Sequence, residues 1–216
     1  MRNELGPAVA AALLALLSVG AAPPALAAGK QIDAGKLFTR LDAYQKLPPA
    51  ERSHFTMAYY LHIGPQPLTA PMVLVEGATR TPIPLRADGK VLKLPTPAQL
   101  EKAKVEIGVD EATKIGETIG LEPLTPAAAD LDARELAAAI AQAGPGMKKI
   151  AGVFGLALPT PKAVLFQGVA SGEAELADGR RVPLPLVKGA PSYDPAVTPN
   201  ARRIRLPGVP RKLDID

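Results

Sequence analysis

The strongest constraint on the fold of this chain is a pattern that occurs twice, about ninety residues apart. Each copy contains Val-Leu-x-x-Gly, then an Asp-Gly step beside a basic residue, then a proline seven residues after the aspartate. The copies start at Val73 and Val164, with their Asp-Gly steps at Asp88-Gly89 and Asp178-Gly179. Self-similarity of this kind predicts two related supersecondary units stacked in one chain.

A helix is predicted before each copy. In residues 37–47 the apolar side chains recur at helical spacing, and Pro48-Pro49 follows them. In the second copy Asp132 is a candidate N-cap residue, with Glu135 three positions later, and the apolar stripe runs to Gly144-Pro145-Gly146, where we expect the helix to end. Both units therefore begin with helix.

Antiparallel strands are predicted to complete each unit. The apolar runs are short and bounded by Pro and Gly, as in hairpins and not in βαβ crossovers. Prolines number 24 of 216, about twice the usual ~5% share, which indicates short strands with protected edges. The sequence predicts the α+β class: two tandem helix-plus-antiparallel-sheet units, residues 34–122 and 131–216, joined by a linker at 123–130, with one continuous sheet or two both compatible.

The two Asp-Gly steps are interpreted as hairpin turns. They lack the further oxygen ligands of a calcium loop and the glycine density of a phosphate cradle. Each lies between apolar runs, where a tight turn needs residues that tolerate positive φ. Asp88, Gly89, Asp178 and Gly179 are therefore predicted to be structural, with Lys90 and Arg180 as solvated neighbours.

Residues 1–27 have the features of a cleavable signal peptide. Arg2 precedes an apolar run from Ala8 to Leu17, and Ala25-Leu26-Ala27 ends the segment with small residues. No cysteine is present, which excludes disulfides and thiolate chemistry and favours a bacterial exported protein over a small eukaryotic extracellular domain. We expect a periplasmic or secreted protein without a transmembrane span after cleavage.

Most catalytic and cofactor motifs are absent from the sequence. The two histidines are too few for an all-histidine zinc site, and no P-loop, nucleophile elbow or dinucleotide fingerprint occurs. The sequence therefore predicts no catalytic set, no cofactor and no metal site. An enzymatic function is one alternative. Glu173 and Glu175 alternate along a predicted strand and are either a paired acid and base or an outward-facing polar row.

The predicted strand from His54 to Gly64 carries the most distinctive surface. A period of two places five apolar side chains on one face and His54, Thr56, Tyr60 and His62 on the other. These four polar residues either line a recognition site peculiar to the first unit or simply pack and face solvent. The corresponding strand of the second unit is predicted at Val153 to Leu158, where no such polar row exists.

Basic residues are concentrated near the end of the sequence, at Arg202, Arg203, Arg205, Arg211 and Lys212. Such a stripe is either a solvated face or a patch for an anionic partner, such as an anionic polysaccharide or an envelope protein. Nucleic acid is excluded as a partner, because the chain is predicted to be exported and no aromatic residues alternate with the basic ones.

The functional expectation is a non-enzymatic exported protein that serves as a binding, inhibitory or envelope-accessory module. The alternative is an envelope hydrolase that uses non-adjacent carboxylates such as Glu173 or Glu175.

Overall fold

The computed structural model describes residues 29–157 and 159–216, so the predicted signal peptide lies outside the described residues. The first half contains seven strands and three short helices. The strands are β1 (Lys30–Asp33), β2 (Phe55–Ile63), β3 (Gln66–Pro67), β4 (Met72–Glu76), β5 (Thr79–Ile83), β6 (Lys104–Ile107) and β7 (Gly116–Pro123). The helices are α1 (Ala34–Leu37), α2 (Leu41–Gln45) and α3 (Pro97–Lys102), with a 3-10 turn at Pro49–Glu51.

The second half is built around one long helix, α4 (Ala133–Ala151), which continues into a 3-10 helix at Gly152–Ala157. Its strands are β8 (Asp130–Asp132), β9 (Val164–Gln167), β10 (Glu173–Leu176), β11 (Arg181–Pro183), β12 (Leu186–Val187), β13 (Ala190–Tyr193), β14 (Ala201–Arg205) and β15 (Lys212–Ile215). Every strand pairing described is antiparallel, which confirms the α+β class.

Two four-stranded sheets have the same order of connections. The first has the order β1-β6-β4-β5 and the second β8-β14-β10-β11. In each sheet, the strand that comes first in the sequence leads into a helix. The second and third strands of that sheet in sequence order form a hairpin, and the fourth lies between the first strand and the hairpin. The other strands form the sheets β3-β2-β7 and β12-β13-β9-β15. Their edge strands β7 and β15 lie side by side, since a Cβ added at Gly120 of β7 would lie 3.3 Å from the Nζ of Lys212 in β15.

The two Asp-Gly steps occupy different places in this topology, so aligning them with each other was wrong. Asp178-Gly179 connects β10 to β11, whereas Asp88-Gly89 lies between Leu85 and Val91 in a hairpin next to β2. The hairpin at the matching position of the second half turns at Lys188-Gly189, between β12 and β13. Gly89, Gly179 and Gly189 all have positive φ, 81°, 84° and 79°, as tight turns require, so the order of the strands and not φ identifies the matching hairpin.

The predicted helix over residues 37–47 is interrupted. It forms α1 and α2, separated at Thr39 and at Arg40, whose φ is 63°. The break is fixed by two hydrogen bonds: the Tyr59 hydroxyl donates to the Thr39 carbonyl at 2.5 Å, and the Thr39 hydroxyl donates to Glu117. A tertiary contact with β2 and β7 therefore overrides the local helical pattern.

The predicted end of the second helix at Gly144-Pro145-Gly146 is also wrong, because α4 continues to Ala151. The two glycines act as contact points: a Cβ at Gly146 would lie 2.6 Å from the Phe55 ring. Beyond α4, residues 152–157 form a 3-10 helix and not the predicted strand, since Gly152 has φ 59° and Gly155 lies against the Lys148 backbone. The predicted cap of α4 by Asp132 is confirmed, and a capping box of Thr96 and Gln99 begins α3.

One hydrophobic core spans both halves. Helix α4 packs against β2, β7, β14 and β15, so that its buried stripe meets strands from each half. The largest fully buried side chains include Phe38, Phe55 and Tyr59 from the first half and Leu136, Phe166, Tyr193 and Ile204 from the second. Within the described residues no helix combines the length and apolarity that a membrane crossing requires.

Candidate functional site

Strand β2 has the predicted two-sided pattern over most of its length, but Ile63, the last of the five apolar side chains expected on one face, is exposed. Phe55, Met57, Tyr59 and Leu61 are buried, while Thr56, Tyr60 and His62 on the other face are half-buried. That second face is covered and not open, since Ala58 at its centre is buried. The polar row therefore faces neighbouring parts of the chain.

Tyr60 lies at the centre of a polar cluster on this face. Its strand neighbours are Thr118 of β7 and Lys90, which forms an isolated bridge with it. The Tyr60 hydroxyl donates to Glu122 Oε1, and the Lys90 ammonium donates to Glu122 Oε2. Glu122 is opposite Thr56 in the ladder, so register alone places it on the same face. Burial, and then the hydrogen bond to Glu122, raise the pKa of Tyr60, so that the phenol keeps its proton.

Basic residues approach this cluster from two directions. Arg86 belongs to the hairpin that carries Lys90, and Arg211 and Lys212 arrive at the start of β15 from the second half. The Lys212 Nζ lies 4.5 Å from the centroid of the Tyr60 ring. A surface cavity of about 300 Å³, which we call the basic pocket, is lined by Arg86, Lys90, Arg211 and Lys212 together with Thr56, Glu122 and the segment at 123–127 after β7.

The charges of the basic pocket are only partly compensated. Arg86 binds Asp88 at 2.5 Å, Lys90 binds Glu122, and Lys212 binds Asp214 at 2.9 Å. The Arg86 guanidinium lowers the pKa of Asp88, so that carboxylate is ionised at neutral pH. Arg211 is exposed, and within residues 29–157 and 159–216 its side chain has no carboxylate partner. The lining holds four cations and one carboxylate, and Asp88 and Asp214 beside it pair with two of these cations, so the remaining excess is one positive charge, on Arg211, which favours an anionic group.

The two histidines of the predicted row lie away from this pocket. His54 Nδ1 is 3.5 Å from Glu135 Oε2, near the start of α4. The His62 Nδ1 is 2.8 Å from the carbonyl oxygen of Gly64, and its ring packs against Gly116. The structure thus brings Thr56 and Tyr60 to the site and places His54 and His62 at opposite ends of β2.

The predicted basic stripe is divided as well. Arg203 and Arg205 on β14 bind Asp130, at 2.7 and 3.0 Å, and Arg205 also binds Glu175. Arg202 is exposed and is not part of the lining of the basic pocket. Arg211 and Lys212 alone reach the basic pocket. A linear count of charges does not reveal this division, because the ladder with β8 and β10 decides which arginines find carboxylates.

The two glutamates considered as an acid and base pair are held in this same network. Glu175 accepts from Arg205 at 2.7 Å, and Glu173 lies 3.8 Å from Arg181. The hydrogen bond from Arg205 lowers the pKa of Glu175, which favours the ionised form and opposes service as a general acid. Within the described part of the chain, no three His, Asp or Glu side chains cluster as a metal site would require.

Sequence reasoning did not identify Arg86, Lys90 and Glu122 as site residues. Lys90 was visible beside the Asp-Gly step, but it was interpreted as a solvated neighbour. Glu122 is only 8% exposed in the structure. In the sequence it is a carboxylate at an otherwise apolar strand end, and such a position was the one indication that Glu122 has a partner.

Comparison with known proteins identifies no relative: no family model, no curated protein and no solved structure matches this chain.

Proposed function

We propose that this protein is an exported, non-enzymatic binding protein whose basic pocket receives an anionic group of an envelope polysaccharide. The observation that carries the proposal is the convergence of Arg86, Lys90, Arg211 and Lys212 on one cavity. Arg86 and Lys90 come from one hairpin, and Arg211 and Lys212 come from the start of β15, far away in the sequence, so their proximity is a product of the fold.

The chemistry of the lining supports an anion attached to a polar polymer. Guanidinium groups pair bidentately with carboxylate or phosphate, and Arg211 is exposed and available for such a contact. The Thr56 hydroxyl is a further hydrogen-bonding group for a sugar. A volume of about 300 Å³ is at the small end for ligand sites, which suits one substituted sugar with the remaining polymer outside.

The hydrogen bonds of Glu122, the carboxylate of the basic pocket, fit binding and not hydrolysis. Glu122 accepts from both Tyr60 and Lys90, so both of its oxygens are occupied. An acid and base pair for glycoside cleavage needs two carboxyl groups facing one bond, and the lining contains one.

Export and duplication belong to the same proposal. Residues 1–27 supply the signal for export, and the chain beyond it works in the periplasm or outside the cell. Residues 34–122 and 131–216 are proposed to be two copies of one unit, a proposal supported by the shared order of the two four-stranded sheets, whose first strands β1 and β8 begin just before these bounds. The basic pocket lies where the halves meet, with Arg86 and Lys90 from one and Arg211 and Lys212 from the other.

The test is retention on immobilised polygalacturonate, which carries carboxylates, on a poly(glycerol phosphate), and on neutral dextran. We expect salt-sensitive retention on one anionic polymer and none on dextran. Arg211→Ala should weaken retention about tenfold, whereas Arg202→Ala, which removes an exposed arginine outside the pocket, should not.

Equal effects of Arg211→Ala and Arg202→Ala would show that only the general charge binds the polymer and would overturn the proposal. Retention on dextran equal to that on the anionic polymers would overturn it as well. New reducing ends released from the polymer would favour the hydrolase in its place.

A further inference from the structure

A second cavity, of about 260 Å³, lies on the opposite face of the β2 and β7 strands. Its walls are almost entirely apolar, and β7 and α4 provide most of them. The lining side chains include Met57, Ile119, Leu121, Met147 and Ile150, with Arg40 as the one charged member. We call it the apolar cavity.

Arg40 lies at the rim of the apolar cavity in an unusual backbone conformation. Its φ of 63° is in the left-handed region, which is unfavourable for a residue with a Cβ. The hydrogen bonds of Thr39 to Tyr59 and Glu117 hold the chain in this shape. Backbone strain of this kind persists where the surroundings impose it, often at ligand sites.

The Arg40 guanidinium is available for a ligand. Arg40 is exposed, and in the part of the chain that the structure describes its side chain forms no ion pair. Glu117, on the same face of β7 as Ile119, is bonded to the Thr39 hydroxyl and lies outside the cavity lining. A single unpaired cation at the rim of an apolar cavity is complementary to a molecule with an anionic head and a hydrocarbon chain.

We propose that the apolar cavity binds a single-chain amphiphile, with its carboxylate or phosphate head on Arg40 and its acyl chain among the methionine and isoleucine side chains. The volume holds roughly eight groups of ~30 Å³, the share of one water in the liquid and close to that of a methylene. About eight carbons of a chain therefore fit inside, so a ten-carbon amphiphile places its head group and the adjacent carbon at the rim, beside Arg40. Met57 and Met147 adapt their shape to such chains because their side chains are unbranched and flexible.

This site is independent of the basic pocket. The residues of the two sites point to opposite faces of β2, since Met57 and Thr56 are adjacent in the strand. Failure of polysaccharide binding would leave the amphiphile proposal intact, and the reverse also holds.

The experiment is calorimetric titration of the purified protein with three ten-carbon probes: decanoate, decanol and decyltrimethylammonium. We expect decanoate to bind at least fivefold more tightly than decanol, and the cationic probe to bind most weakly. Arg40→Gln should abolish the preference for decanoate over decanol, while Lys148→Gln, which removes an exposed cation of α4, should preserve it.

Variants that fill the apolar cavity test whether the hydrocarbon chain of the probe binds there. Ile150→Trp should weaken decanoate and decanol alike by tenfold or more, and Met147→Phe serves the same purpose if Ile150→Trp does not fold. The proposal is overturned if decanoate does not bind to the unmodified protein, if a folded cavity-filling variant binds both probes normally, or if Arg40→Gln retains the preference for decanoate.

Discussion

The ammonium group of Lys212 lies 4.5 Å from the centroid of the Tyr60 ring, over its face. Lys212 is the first residue of β15 and Tyr60 lies in the middle of β2, so this contact joins the two halves of the chain at the basic pocket. The Lys212 side chain is 18% exposed and also binds Asp214 at 2.9 Å. Reduced solvent access strengthens the attraction between a cation and an aromatic ring.

A double-mutant cycle on Lys212→Met and Tyr60→Leu should reveal this contact. We expect a coupling free energy of about 1 kcal/mol, because a partly desolvated cation–π pair contributes about 0.5–2 kcal/mol. The measurement is urea denaturation of the parent protein, both single variants and the double variant. A cycle that replaces Lys212→Met by Arg202→Met is the control and should show no coupling to Tyr60. Full additivity of Lys212→Met and Tyr60→Leu would contradict the prediction.

Glu122→Gln should lower stability and raise anion affinity together. The substitution removes the charge that Lys90 and Tyr60 share, and the Lys90 side chain is only 20% exposed. A partly buried cation without its partner costs about 2 kcal/mol, within the range for lost hydrogen bonds to charged groups. The released cation then adds to the positive potential of the basic pocket. Urea denaturation gives the first quantity and titration with galacturonate the second.

The matched control for Glu122→Gln is Glu173→Gln, an exposed carboxylate of the second sheet. We expect it to leave both quantities nearly unchanged. Higher stability of Glu122→Gln, or weaker galacturonate binding, would show that Glu122 does not compensate the cations of the pocket.

The glycines of the two Asp-Gly turns should respond very differently to substitution. Both have positive φ, 81° at Gly89 and 84° at Gly179, so Ala at either position costs about 1–2 kcal/mol. At Gly179 a Cβ meets nothing within 4 Å, but at Gly89 it would lie 2.2 Å from the Leu61 carbonyl oxygen. Gly89→Ala should therefore destabilise by at least ~2 kcal/mol more than Gly179→Ala in urea denaturation. Equal losses would contradict this packing of the hairpin against β2.

Local patterns in the sequence were sufficient for much of the secondary structure. The alternation along β2 and the cap residues Thr96 and Asp132 act through neighbours within a few residues, so their outcome is readable from the chain. Tertiary contacts decided the remainder. The break at Arg40 depends on Tyr59 and Glu117, and the continuation of α4 past Pro145 depends on packing of Gly146 against Phe55.

Only part of the basic pocket was predicted from the sequence, because tertiary contacts bring its residues together. Thr56, Tyr60, Arg211 and Lys212 were identified as two separate groups, and periodicity gives no way to bring them together. Their proximity follows from β15 lying beside β7, a relationship between strands that are not paired in either sheet. Glu122 joins them through register with Thr56.

Acid should weaken the fold through the charge network of the second four-stranded sheet. The hydrogen bond from Arg203 lowers the pKa of Asp130 below 3.8, and the one from Arg205 lowers the pKa of Glu175 below 4.5. A carboxyl group whose pKa is depressed in the folded state contributes stability that is present above its unfolded pKa and lost as the pH falls through its folded pKa. The urea midpoint should therefore fall between about pH 6 and about pH 3, modestly because these ion pairs are exposed.

The double variant Asp130→Asn/Glu175→Gln should show a smaller fall in the urea midpoint over the same pH range, because neither side chain titrates. Added salt should also reduce the fall for the parent protein, since exposed ion pairs are screened within about 10 Å at 0.1 M. The control is Glu111→Gln, which removes an exposed carboxylate outside this network. It should keep the full pH dependence, and a double variant as acid-sensitive as its parent would place the acid response in other groups.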